Sequence, residues 1–193
     1  GSAAPASAST GNCAIGPHIC LEYRGSVEWI PRSPRKRRML FYEDMIPGQG
    51  TGGPSLRVDR EELIEFARRW DPMPFHVDDE AGKAAFGSIT APGVFVLALK
   101  QRLIHQLAEP HAVIASMGYD EVRFHAPVRP DDTLRLQFDY IDRRESRSKP
   151  DRGVVTVRLS LVNQAGITAM SHLDTILVRR KPPASAPDLQ EGE

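Results

Sequence analysis

The chain has 193 residues, 40% hydrophobic and 26% charged, which suits one globular core and is too little for two well-packed ones. Its 25 Lys and Arg balance 25 Asp and Glu, which argues against both the positive field of a nucleic-acid binder and the acidic excess of a solvating tail. No window approaches the roughly 18 apolar residues of a membrane span, and the N-terminus lacks a signal-peptide apolar core, so a soluble protein without a membrane partner is expected.

Residues 1–38 are read as a disordered, basic extension. Gly1 and Ser2 look like a cleavage scar, the following Ala, Ser, Pro and Gly show no periodicity, and Arg32, Arg35, Lys36, Arg37 and Arg38 form a basic run. That run reads as a solvated tail ahead of a localisation signal or an anion patch, and Met39 is a candidate natural start. Cys13 and Cys20 both fall here, so the folded part has no disulfide or thiolate chemistry and suits a reducing, cytoplasmic compartment.

The patterned domain is expected over 39–181. Its first segment is Leu40 to Met45, followed by a strand at Ser55 to Val58. Asp59 with Glu62 three residues on resembles a capping box, and Leu63, Ile64, Phe66, Ala67 and Trp70 recur at helical spacing, predicting a helix from Arg60 to Arg69. Asp71, Pro72, Met73 and Pro74 should end it and hold the chain extended. A short polar helix near Asp78 to Ala84 comes next. The longest apolar stretch, Val94 to Leu107, begins after Gly93 and stops at Glu109 and Pro110, which describes a helix wrapped by other elements. From there the period becomes two. Strands are predicted over Tyr119 to Phe124, Thr133 to Ile141, Val154 to Val162 and Thr168 to Val178, with a hairpin at Asn163 to Gly166. Residues 182–193 read as a disordered, Pro-rich, acidic tail. The pattern is α+β, an antiparallel sheet curled around a long central helix, and one layer of sheet on one helix calls for a homodimer or a higher homo-oligomer.

Chemistry concentrates at Asp71 and His76, a carboxylate and an imidazole five apart on a proline-stiffened loop. In an extended chain odd spacing turns the two to opposite faces, so a shared site needs a bend between them. The alternative is structural, with Asp71 as a turn residue ending a helix and His76 as a satisfied, half-buried histidine. Metal catalysis finds no HxH or HExxH pattern among the six histidines, and nucleotide phosphate loops are absent.

The run Asp71, Pro72, Met73, Pro74, Phe75, His76 resembles the D-x-N-P-[IL]-H motif of MaoC-like (R)-specific enoyl-CoA hydratases, which have the hot-dog fold. The resemblance continues at Phe86 to Gly93, similar to the segment leading into that family's central helix. It continues again at Val122 to Leu134, similar to its "F..PV.pGD.L" stretch, and at Phe41 to Gly48, similar to its N-terminal strand. It implies that Asp71 and His76 form the catalytic pair and that the Gly93 backbone N–H is an oxyanion donor. The implied reaction is reversible addition of water to a trans-2-enoyl-CoA, giving a (R)-3-hydroxyacyl-CoA in fatty acid metabolism. No cofactor is implied beyond the coenzyme A of the substrate. Base, acid and oxyanion donor are what that addition needs. Two positions depart from the pattern: Met73 replaces the motif's Asn, and Pro92 replaces the His that commonly precedes the glycine. Gln101, along the helix from Gly93, is a candidate for the acyl chain or an ordinary polar helix residue. Arg129, with Arg123, Arg144 and Lys149, is a candidate for coenzyme A phosphates. An acyl-CoA thioesterase and a non-catalytic acyl-CoA-binding protein are the alternatives on this fold.

Overall fold

The computed structural model describes residues 38–183. The expected extension and tail fall outside this range, apart from Arg38, Pro182 and Pro183. The order is a 3-10 turn (Tyr42–Asp44), β1 (Gly50–Arg57), α1 (Arg60–Trp70), α2 (Pro74–Val77), α3 (Asp79–Phe86), α4 (Gly93–Ile104), β2 (Val113–Phe124), β3 (Thr133–Glu145), β4 (Arg152–Val162) and β5 (Thr168–Arg179). The strands form one sheet in the order β1-β3-β4-β5-β2, every neighbouring pair antiparallel. This is the expected hot-dog architecture. Alternate residues of β3 (Leu134, Leu136, Phe138, Tyr140) and of β4 (Val155, Val157, Leu159, Leu161) are buried. They form one core with Phe95, Val96, Leu99 and Leu103 of α4, as period-2 and period-3.6 faces meeting should. Among the described residues no helix is long and apolar enough to cross a membrane.

The structure departs from the sequence reading where local chemistry competes with periodicity. Where the resemblance implies an N-terminal strand, Tyr42–Asp44 is a 3-10 turn, because the Asp44 carboxylate accepts the Phe41 N–H at 3.0 Å and closes the chain on itself. Only Leu40 bridges, to His111. β1 begins at Gly50 and tolerates Pro54 because it is an edge strand whose register slips between Gly52 and Ser55. β2 begins six residues earlier than expected. Its slips, with positive φ at Gly118 and Glu121, break the alternation that would have marked it. At the start of α1, Asp59 caps the Glu62 N–H (2.8 Å), but the Glu62 side chain is taken by Arg102 instead of closing the box.

Gly82 of α3 is where helix and loop come closest. A Cβ there would lie 2.7 Å from the Ile89 nitrogen and 2.9 Å from the Ser88 carbonyl carbon, both backbone atoms. Gly82→Ala should lower stability by about 1–2 kcal/mol: helix propensity returns up to about 1 kcal/mol, and overpacking against a backbone costs more. Urea unfolding checks this, and an unchanged midpoint would show that α3 can shift freely.

Candidate active site

α1 stops at Trp70 because Pro72 keeps Asp71 out of the helical region; Asp71 sits at φ −155°, ψ 72°, its N–H still on the Ala67 carbonyl at 2.8 Å. The chain then folds back. The Met73 N–H donates to the Asp71 carbonyl (2.8 Å) and the His76 N–H to the Met73 carbonyl (2.9 Å). Pro74 opens α2, where a missing N–H and a fixed φ favour a helix start. The loop is therefore not extended as expected, and this helical turn supplies the bend that the five-residue spacing requires.

His76 is buried and Asp71 is partly exposed, with His76 Nε2 3.8 Å from Asp71 Oδ2. On the opposite side of the ring, Nδ1 lies 2.6 Å from the Thr90 carbonyl oxygen. A carbonyl can only accept, so Nδ1 carries the proton and Nε2 presents its lone pair towards Asp71. Phe75 packs edge-on to His76, with ring centroids 4.5 Å apart, and the Phe75 carbonyl accepts the Thr90 N–H at 3.2 Å. Ring, tautomer and loop are thus fixed together. A separation of 3.8 Å is too long for a direct hydrogen bond and lets one water contact both groups.

Three residues after Thr90, Gly93 begins α4. The Pro92 carbonyl accepts the N–H groups of Phe95 and Val96 at 3.0 and 3.1 Å. Among the described residues the N–H groups of Gly93 and Val94 have no acceptor, as expected for the first turn of a helix. A Cβ at Gly93 would fall 2.7 Å from the Phe124 ring, so glycine is what lets that ring pack against the start of α4.

The family described as MaoC like domain matches residues 44–163. The chain belongs to the MaoC-like dehydratase family. It is 32% identical to the Bacillus subtilis protein YdeM over 140 residues, covering 72% of this chain and 98% of that protein. Over 81 residues it is 38% identical to a mesaconyl-CoA hydratase of Cereibacter sphaeroides, covering 40% of this chain and 23% of the relative. Among solved structures, the MaoC-like dehydratase from Rhodospirillum rubrum is 32% identical with a TM-score of 0.69, covering 74% of this chain and 99% of that one.

In this MaoC-like chain the two departures from the motif take no part in the pair. Met73 points outward, 46% exposed, and Pro92 is buried as the residue capping α4. The four basic candidates separate. Arg129 donates to the Phe86 carbonyl at 3.1 Å and lies on the turn next to Val128, whose carbonyl accepts the Ala91 N–H; it shares the His76 end of the domain. Arg144 and Lys149 belong to the β3–β4 hairpin, about 35 Å along β3 from Thr133, and Arg123 donates to the Val122 carbonyl. Gln101 sits at the far end of α4, bonded to Lys100 Nζ.

A second set of polar groups was missed by the sequence reading. Lys100, His172 and Asp174 are buried, on α4 and β5. The signal was present in the alternation of β5, which puts His172 and Asp174 on the face of Ile176 and Val178. Among the described residues no three His, Cys, Asp or Glu side chains gather as a metal site.

Proposed function

We propose that the protein is a hydratase/dehydratase that adds water reversibly to a trans-2-enoyl-CoA to give a (R)-3-hydroxyacyl-CoA. The observation that carries this reading is the Asp71–His76 pair, with Thr90 fixing the tautomer that leaves His76 Nε2 free. One water between the two groups gives a proton to Nε2 as its oxygen attacks C3, while the Asp71 carboxylate accepts the other O–H and aims it. The proton then returns from the imidazolium to C2 on the same face. Charge on the thioester oxygen is met by the Gly93 N–H, backed by the positive end of the α4 dipole. Arg129 is the cation assigned to the coenzyme A phosphates. No metal or organic cofactor enters these steps, and a cytoplasmic setting accompanies the assignment.

Crotonyl-CoA followed at the enoyl absorbance, with thiol release monitored in parallel, tests the assignment. Loss of absorbance without thiol is expected. Thiol release would make the protein a thioesterase, and binding without either signal would make it a non-catalytic acyl-CoA-binding protein.

The same proposal includes a homodimer joined along β2. That strand is a sheet edge, and Ile114, Met117, Tyr119 and Phe124 on it are exposed, a combination that isolated domains avoid. Sedimentation equilibrium at low micromolar concentration should give twice the chain mass of 21.4 kDa. A stable, active monomer would remove the dimer.

A further inference from the structure

His76 is held from two sides by one short stretch of chain. The Thr90 carbonyl lies 2.6 Å from Nδ1, and the Thr90 hydroxyl is 3.4 Å from the same nitrogen. The other contact is aromatic. Phe86, the last residue of α3, sets its ring on Phe75 with centroids 5.3 Å apart and planes at 74°, and Phe75 meets the His76 ring at 4.5 Å and 71°. The stretch from Phe86 to Thr90 is tied to α3 as one unit. Gly87, at φ 81°, returns its N–H to the Lys83 carbonyl at 3.0 Å, and Gly82 packs so closely on Ser88 and Ile89 that a Cβ there would meet backbone at 2.7 Å. Arg129 straps the same unit from outside, donating to the Phe86 carbonyl at 3.1 Å.

Neither Phe75 nor Phe86 belongs to the core that α4 and the sheet enclose, and Phe86 is 45% exposed. Burial of apolar surface therefore accounts for little of their pairing. What lies at the inner end of the pair is the imidazole. A hydrogen bond at Nδ1 fixes one atom of that ring and leaves it free to turn about the bond, which would swing Nε2 away from the gap it shares with Asp71. A second contact, off that axis, stops the turn. Phe75 supplies it, but only while its own ring is braced, and Phe86 is the ring that braces it. Perpendicular ring pairs hold a preferred geometry that an aliphatic side chain does not impose.

We propose that Phe86 is a positioning residue for the hydratase reading above, on which the proposal rests: acting through Phe75, it holds the His76 imidazole at the angle that aims Nε2 at the gap shared with Asp71. The hydrogen bond from Thr90 sets the tautomer, and the two phenyl rings set the direction. Because Thr90 and Phe86 belong to one tied unit, tautomer and direction are fixed by the same piece of chain.

Crotonyl-CoA hydration by the full chain tests this in Phe86→Ala, Phe86→Leu, Phe86→Tyr, Phe75→Leu and the Phe75→Leu, Phe86→Ala double variant. Phe86→Ala and Phe86→Leu should lower kcat about tenfold and leave KM within about twofold, since a ring pair is worth up to that much and a misaligned catalytic group costs rate more than binding. Phe86→Tyr keeps the ring and should keep most of the wild-type kcat. Phe75→Leu should lose at least as much as Phe86→Ala, and the double variant no more than Phe75→Leu alone, because a brace has nothing to act on once Phe75 is gone. Nitrogen NMR of protein labelled in its histidine rings reads the imidazole without turnover: the His76 signals should move towards the average of the two tautomers in Phe86→Ala. Wild-type kcat or unmoved His76 signals in Phe86→Ala, equal kcat in Phe86→Leu and Phe86→Tyr, or losses that multiply in the double variant would overturn the proposal and leave the hydratase reading intact. A wild-type protein that hydrates no crotonyl-CoA would overturn both.

Discussion

Replacing Asp71 by Asn, or His76 by Ala, is expected to lower kcat for crotonyl-CoA hydration at least roughly a hundredfold, the usual effect of removing a general acid or base. The two variants act on different parts of one step. His76→Ala removes the Nε2 lone pair that takes the water proton. Asp71→Asn keeps the shape of the side chain but puts an amide where a carboxylate accepts the second O–H. Neither group is assigned to the coenzyme A portion, so KM should move much less than kcat. The folding cost differs as well. Asp71 is partly exposed, whereas His76 is buried with Nδ1 on the Thr90 carbonyl; His76→Gln, which restores a donor near Thr90, serves as the control for fold. Circular dichroism and steady-state kinetics on the same preparations decide the matter. Near-normal kcat in a folded Asp71→Asn or His76→Ala protein would remove the pair from the mechanism.

Much of this site was legible before the structure because rigid local chemistry announces itself in residue types. Prolines at 72 and 74 mark where α1 must stop, and glycine at 93 marks where α4 starts. The sign of the effect of Pro74 was not legible. A proline both breaks a helix and starts one, and only the Met73 carbonyl accepting the His76 N–H shows that it starts one here. The four core strands were read correctly in order because three of them alternate cleanly, yet the first half of β2 was lost because its exposed residues and bulges erase the period. The burial of Lys100 is not legible in the sequence for a different reason. A cation just past an apolar run, with Arg102 two positions on, reads as a snorkelling surface residue, and its burial depends on Tyr119, nineteen positions away on β2. Contacts of that kind belong to the fold and leave no local mark.

Acidification should destabilise the protein before its carboxylates titrate, and His111 is the reason. Its ring lies edge-on to Phe138, with centroids 5.3 Å apart, and its Nε2 is 2.9 Å from the Tyr140 hydroxyl. Burial lowers its pKa from 6.5 to about 4. Burial, with the nearby Asp44 and Glu109 charges, pushes Tyr140 up to about 12. The phenol therefore keeps its proton and donates it to a neutral imidazole. A histidine whose folded value lies below its unfolded value binds fewer protons in the folded state. Its stabilisation is complete above the unfolded pKa of 6.5 and is lost as pH falls towards 4. Between pH 7 and 5 the loss amounts to about 2 kcal/mol. Glu43 and Asp44 are depressed carboxylates with ordinary values of 4.5 and 3.8; their stabilisation is lost only at lower pH, which leaves the window from 7 to 5 to the histidines. His172, lowered by burial and by Lys100, adds in the same direction. Urea unfolding at pH 7 and pH 5 measures the difference. In a His111→Phe, Tyr140→Phe double variant, which removes the titrating ring and its partner hydroxyl together, the drop should shrink by most of that 2 kcal/mol. A drop of unchanged size would mean that His111 protonates in the folded protein as readily as in the unfolded chain.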